Sequence, residues 1–235
     1  MNNNASYIIK TLDIKRPPIA VYDSSPDTEF APIAKPKQCI YDSINDWFGV
    51  NYSIISKDCI TCPGAAYQML GMQMMKREQL VEFLYKQEGL KASRELISDW
   101  LDKNKPYIPK NGRLVIGPIN EKHYDDIISI TFFVNPDQLS ALITAANYYT
   151  SETEFVTAPF GSSCSLLVAP FSNPNVKKTV IGCTDAAMRK YIPKDMLCIT
   201  MSKPAFEDVC SITEESFLTK AFTRNLKEAR GGSLE

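Results

Sequence analysis

The sequence predicts an α/β or α+β protein in which helices pack on a mixed sheet. Three observations carry that expectation. β-Branched and aromatic runs recur along the chain, the strongest being Ile127 to Val134 (Ile-Ile-Ser-Ile-Thr-Phe-Phe-Val), and such side chains suit a pleated, buried surface. Between these runs lie stretches with apolar residues at helical spacing, such as Leu80, Phe83 and Leu84, or Leu96, Ile97, Trp100 and Leu101, which mark amphipathic helices. No apolar run approaches the roughly 20 residues that a membrane-spanning helix needs.

Taken in order, Ala5 to Leu12 reads as a short helix, stopped by Lys15-Arg16-Pro17-Pro18 because proline cannot continue a helix. Pro18 to Tyr22 follows as a buried strand, then a proline-rich loop over 24–37. Cys39 to Phe48 carries Ile40, Ile44, Trp47 and Phe48 at helical spacing and is closed by Gly49. Tyr52 to Ser56 is a strand and Gly64 to Leu70 a helix ending near Gly71. Gly89 separates two helices over 76–88 and 91–103, and Arg113 to Ile116 is a strand ended by Gly117-Pro118. After Ile127 to Val134, Asn135-Pro136-Asp137 starts a helix that runs to Tyr149. Phe155 to Ala158, Thr179 to Ile181 and Leu197 to Met201 are short strands. Cys164 to Val168 and Asp185 to Tyr191 are read as helical, and Phe206 to Lys227 holds the last helical material.

At 235 residues the chain can form one large domain or two intimately packed halves. The reading is a single compact domain over 1–230, with Gly231-Gly232-Ser233-Leu234-Glu235 set aside as an expression remnant. A weak internal echo suggests similar halves, about 13–110 and 111–205, related by a pseudo-two-fold. Each runs strand, cysteine-bearing helix, strand, cysteine: Cys39 then Cys59 and Cys62 in the first half, Cys164 then Cys183 in the second. The net charge of -1 offers no electrostatic footprint for nucleic acid or anionic membrane. Met1-Asn2-Asn3-Asn4-Ala5 lacks the basic and apolar regions of a secretory signal, so the seven cysteines are expected to be reduced thiols in the cytoplasm.

Thiols are the main chemical signal. Cys59-Ile60-Thr61-Cys62-Pro63-Gly64 sits between a strand and a helix, and a Cys-x-x-Cys turn can chelate a soft metal, hold part of an iron–sulfur cluster or cycle between dithiol and disulfide. The helix start favours thiolate. There is no second Cys-x-x-Cys, so a zinc ribbon is not supported, and further ligands must come from Cys39, Cys164 or Cys183. The plainer alternative is a pair of structural thiols at a tight turn. Cys198 and Cys210 lie in apolar stretches and read as core.

Cys164 in Phe160-Gly161-Ser162-Ser163-Cys164-Ser165 also fits an anion-binding nest with a nucleophile activated by a helix start. The single histidine, His123, lies in an acidic, solvated segment and is a poor partner for it. Arg189 reads as solvated rather than anion-binding, and Met69, Met72, Met74 and Met75 as core filling. No dinucleotide fingerprint, P-loop, His-Glu-x-x-His or nucleophile elbow occurs.

Several segments in this order resemble the DUF169 family of uncharacterised prokaryotic proteins. They are Lys15-Arg16-Pro17-Pro18-Ile19-Ala20-Val21, Gln38-Cys39, Cys62-Pro63-Gly64 with Gly71, Asn135-Pro136-Asp137-Gln138, Gly161-Ser162-Ser163-Cys164, Ala169-Pro170 and Gly182-Cys183. The resemblance covers roughly residues 10 to 205. It implies a bacterial or archaeal cytoplasmic protein and family cysteines at Cys39, Cys62 and Cys164, and it supplies no reaction.

The leading functional expectation is a soft cofactor held by thiolates, an iron–sulfur cluster first and zinc second. Cys39, Cys59, Cys62 and Cys164 are the expected ligands, with Cys183 in reserve. Such a centre would serve redox or Lewis-acid chemistry with a small molecule or a redox partner, and a homo-oligomer is left open. The alternative is a metal-free small-molecule-binding protein or thiol-dependent enzyme, with Cys164 or Cys62 as nucleophile at a helix N-terminus. A third reading makes every cysteine structural.

Overall fold

A computed structural model describes residues 3–35, 39–47, 51–57 and 62–234, with the backbone alone at 3–6 and 45–47. Seven strands form one mixed sheet: β1 (Ile19–Ser24), β2 (Ser53–Ile55), β3 (Arg113–Pro118), β4 (Ile127–Val134), β5 (Val156–Thr157), β6 (Thr179–Gly182) and β7 (Leu197–Ser202), in the spatial order β2-β3-β1-β4-β7-β6-β5. Every residue of β1 and β4 is buried. These two strands lie side by side at the centre of the sheet, covered on both faces, and for that reason their sequences read as continuous apolar runs rather than alternating ones.

Outward from the central antiparallel β1/β4 pair the order matches on both sides: β1, β3, β2 in one direction and β4, β7, β6 in the other. Each of these neighbours is antiparallel. The outermost pairings also correspond. β5 runs parallel to β6, and on the other flank Ile33 makes a parallel bridge to Tyr52, just before β2.

Alternation along the strands divides the interior in two. On one face Ala20, Tyr22, Val115, Ile130, Phe132, Ile199 and Met201 pack with α1 (Asn3–Thr11), α6 (Pro136–Ala146) and α7 (Lys203–Ser211). On the other, Val21, Leu114, Ile116, Phe133 and Cys198 pack with α2 (Ile40–Trp47) and α3 (Pro63–Leu70). α4 (Arg77–Lys86) and α5 (Arg94–Lys103) pack on each other, joined by Arg77 Nη2 to Asp102 Oδ1 at 2.7 Å and by the Arg94–Glu82 ion pair. α8 (Ala221–Ala229) closes the chain.

Local chemistry sets the boundaries. Asn135 caps α6, its Oδ1 accepting from Gln138 N at 2.9 Å while Gln138 Oε1 accepts from Asn135 N at 3.2 Å. These reciprocal bonds satisfy donors that a helix start leaves free. α3 stops at Gly71, whose φ of 66° ends the helix in the left-handed region.

Two helical expectations shrink. Asp185 to Tyr191 contains only one 3-10 turn, Arg189–Tyr191. Asp185 Oδ1 accepts from Ala187 N at 2.9 Å, a local turn that competes with a helix start, and Pro193 follows directly. Cys164 to Val168 is reduced to the 3-10 turn Ser165–Leu167, with Pro170 two residues after Val168. The tail set aside in the sequence packs against the fold: Leu234 is buried, its N–H donates to Asp13 Oδ2 at 3.1 Å, and its carbonyl accepts from Asn135 Nδ2 at 2.6 Å.

A buried carboxylate organises the long connection into β3. Asp23 Oδ2 accepts from Tyr107 Oη and from Lys110 N, both at 2.7 Å, and Oδ1 accepts from Asn111 N at 2.9 Å. Burial and the Asp23 bond both push the Tyr107 phenol up.

Candidate functional site

The cysteines of interest lie on the α2/α3 face of the sheet. Cys39 stands just before α2, where its carbonyl accepts from Ser43 N at 3.1 Å and Ser43 Oγ at 3.2 Å. Its thiol donates toward Met188 Sδ at 3.4 Å. Cys62 is the N-cap residue of α3, with Pro63 in the first turn and its carbonyl accepting from Ala66 N at 2.9 Å. A Cβ on Gly64 would stand 3.9 Å from the Cys62 sulfur, so glycine leaves the flank of that thiol clear. Cys164 precedes the Ser165–Leu167 turn, with Ser162 Oγ 3.4 Å from its sulfur. α3 packs on that turn, and α2 packs on the Arg189–Tyr191 turn.

Cys39, Cys62 and Cys164 are half-buried and share one apolar cluster. They also act on one another. Burial raises the Cys39 thiol; the backbone N–H groups of Asp42 and Tyr41 oppose the rise, and negative charge on Cys62 and Asp42 adds to it. Burial pushes Cys164 up to about 12, opposed by its bond to Ser162 and reinforced by charge on Cys62, Cys39 and Asp185. Among the described residues no cation lowers either group. At neutral pH both are therefore neutral thiols. The thiolate that the sequence expected from a helix start at Cys164 does not arise, because the turn after it spans three residues and carries no appreciable dipole. A bound metal ion would reverse this balance, since metal binding deprotonates thiols outright.

Raised thiols have a measurable consequence. Cys210 is also pushed up to about 12, by burial and by Glu207. Between the ordinary thiol range and pH 12 the unfolded chain has lost protons that the folded chain still holds, so stability falls as pH rises. In chelator-treated protein each such thiol should lower the folding equilibrium by about tenfold per pH unit across that window. Urea melts at pH 8, 9 and 10 are expected to show a falling midpoint, with a shallower fall in Cys210→Ala.

Deeper in the same face lies a second sulfur pair. Cys183 and Cys198 are both fully buried, and Cys183 Sγ donates to Cys198 Sγ at 3.0 Å. β6 and β7 bring them together, with Gly182 opposite Cys198 in the ladder. A Cβ on Gly182 would stand 2.7 Å from the Cys198 sulfur, so the contact requires glycine there. Cys183 itself takes a left-handed φ of 57°, an uncommon conformation outside glycine, asparagine and aspartate. Tyr41 links the two sulfur groups: its Oη donates to the Ser163 carbonyl at 3.0 Å and lies 3.9 Å from Cys198 Sγ. Burial and the charges of Cys183, Cys198 and Cys164 raise its phenol. Tyr41 and the Cys183–Cys198 contact were not read from the sequence. The one available signal was the placement of Tyr41 two residues after Cys39.

Residues 7–211 match DUF169, described as uncharacterised ArCR. The chain belongs to the DUF169 family. The matched span contains all seven cysteines. No curated protein and no solved structure matches the chain significantly.

In this DUF169 chain the two flanks of the sheet carry cysteines at corresponding connections. Cys39 lies between β1 and the outer strand β2, and Cys62 follows β2. Cys164 lies between β4 and the outer strand β6, and Cys183 follows β6. Among the described residues no three His, Cys, Asp or Glu side chains stand close enough to hold a metal ion. Cys59 lies outside the described residues. The donors present are soft sulfur ligands, which suit an iron–sulfur cluster or zinc.

Other singled-out residues lie elsewhere or have structural roles. His123 contacts the Glu29 carbonyl through Nε2 at 3.0 Å and stacks on Phe30 at 4.6 Å between ring centroids. Arg189, read as solvated, instead donates to the carbonyls of Met196, Pro193 and Lys194 and closes its own loop. Met69 is fully buried and Met74 is exposed.

Proposed function

We propose that this DUF169 protein binds a soft cofactor through the thiolates of Cys39, Cys59, Cys62 and Cys164, an iron–sulfur cluster first and zinc second, with Cys183 in reserve. The observation that supports the reading is that Cys39, Cys62 and Cys164, from both flanks of the sheet, pack against one apolar cluster, where charge on Cys62 adds to the rise of the Cys39 and Cys164 thiols. Sulfur ligands without histidine suit both cofactors. The centre would support redox or Lewis-acid chemistry on a small molecule or with a redox partner. Reduced thiols are consistent with a cytoplasmic setting. Reading Cys164 as a metal-free nucleophile is less favoured, because a thiol pushed up to about 12 carries almost no thiolate at pH 7.

Anaerobic purification followed by iron, acid-labile sulfide and zinc analysis tests the proposal. Stoichiometric iron with sulfide, or zinc alone, is the expected result. A colourless, metal-free protein with a full native fold, which takes up neither on reconstitution, would end it.

A further inference from the structure

A second site, which does not depend on the thiolate reading, lies at the β2/β3 end of the sheet. A cavity of about 570 Å³ opens there, within the size range of small-molecule sites. Its walls are apolar: Ile54 from β2, Leu70 and Met72 from the end of α3, and Ile108 from the connection into β3. Ile108 is 68% exposed, so this wall presents apolar surface to solvent.

The charges on the lining have one sign. Lys57 and Arg113 line the cavity, and among the described residues no acidic side chain does. The two cations belong to neighbouring chain segments: Ile55, the last residue of β2, pairs with Leu114, Arg113 precedes Leu114, and Lys57 stands in the turn two residues after Ile55. The Arg113 guanidinium is anchored through Nη2, which donates to the Thr28 carbonyl. Its Nε is buried and has no hydrogen-bond partner among the described residues. A buried donor without an acceptor is costly; Nε is closed to solvent, so an anion in the cavity meets Arg113 at the part of its side chain that lines the cavity.

We infer that this cavity binds a small organic anion, a carboxylate, sulfonate or phosphate monoester carried on an apolar body. The head group lies against Arg113 and Lys57, where charge-assisted bonds form. The body covers Ile54, Leu70, Met72 and Ile108, removing their apolar surface from water.

The test uses 8-anilinonaphthalene-1-sulfonate, a fluorescent apolar anion, with native near-UV dichroism as a check that the fold is intact. One dye per chain is expected to bind, displaced by laurate and by dodecyl phosphate but not by dodecyltrimethylammonium, all below their micellar concentrations. Lys57→Met is expected to weaken laurate binding about tenfold, the loss of one charged hydrogen bond. Ile108→Glu should weaken it at least as much. Both residues are exposed, so neither variant threatens the fold, whereas Arg113 is tied to Thr28. Absence of dye binding, equal displacement by the cationic amphiphile, or unchanged laurate affinity in both variants would overturn the inference.

Discussion

If the proposed cofactor is bound through these thiolates, Cys164→Ala is expected to abolish its retention while leaving the protein folded. The thiol is half-buried at the edge of its cluster, so removing one sulfur atom opens little internal space. Removing a ligand acts on a different scale, since loss of an outer-shell partner alone typically costs about 10- to 100-fold in metal affinity. A first ligand should exceed that, and cluster or zinc content in Cys164→Ala should fall to background, with the same result for Cys39→Ala and Cys62→Ala. Cys198→Ala provides the contrast. Its sulfur is fully buried against Cys183 and near Tyr41, so its loss should cost about 1–3 kcal/mol of stability while cofactor content remains normal. If all four variants keep their metal, or if Cys198→Ala alone loses it, the assignment of ligands fails.

The largest stability effect is expected at Asp23. Its carboxylate is 4% exposed and accepts from the Tyr107 phenol and the backbone N–H groups of Lys110 and Asn111. Asp23→Ala removes all three acceptor contacts at once. Each buried donor left without a partner costs about 1–3 kcal/mol, partly relieved where water enters. A total of about 3–5 kcal/mol follows, which for a chain of this size lowers the melting temperature by about 10 °C. Asp23→Asn should lie between, because an amide keeps one acceptor but turns a donor toward groups that themselves donate. Urea unfolding of both variants measures the effect. Shifts under about 1 kcal/mol would mean that the connection over 104–112 is not held by this carboxylate.

The two residues differ in how far the sequence could reveal them. Cys164 is legible because cysteine in a Gly-Ser-Ser context is chemically distinctive wherever it folds. Asp23 is one acidic residue at the end of a strand, and its sequence context is that of an ordinary turn. Its role depends on donors 84 to 88 positions away, a separation that no local pattern encodes. The Cys183–Cys198 contact has the same character. Both are visible as cysteines, but only the register of β6 against β7 makes them neighbours. The cavity beside Arg113 likewise requires β2, β3, the end of α3 and the loop at Ile108 to be assembled first.

Periodicity and punctuation determined the elements of this protein. Apolar spacing located α2, α4 and α5, the Asn135-Pro136-Asp137 start located α6, β-branched runs located β1, β4 and β7, and Pro17-Pro18 and Gly71 set ends, because those signals act within a few residues of chain. The segment over 185–191 failed for the same local reason: an aspartate turn and a following proline outweighed a helical pattern too short to nucleate. The order of short motifs, from Lys15–Val21 through Asn135–Gln138 to the cysteine-bearing segments, also sufficed to bring the family into view. Tertiary structure alone decided which thiols share a wall, which sulfur is buried against which, and which charges face the cavity. Those facts arise from strand order and from burial, and both depend on contacts between residues far apart in the chain, where solvent exclusion rather than local preference sets the energy.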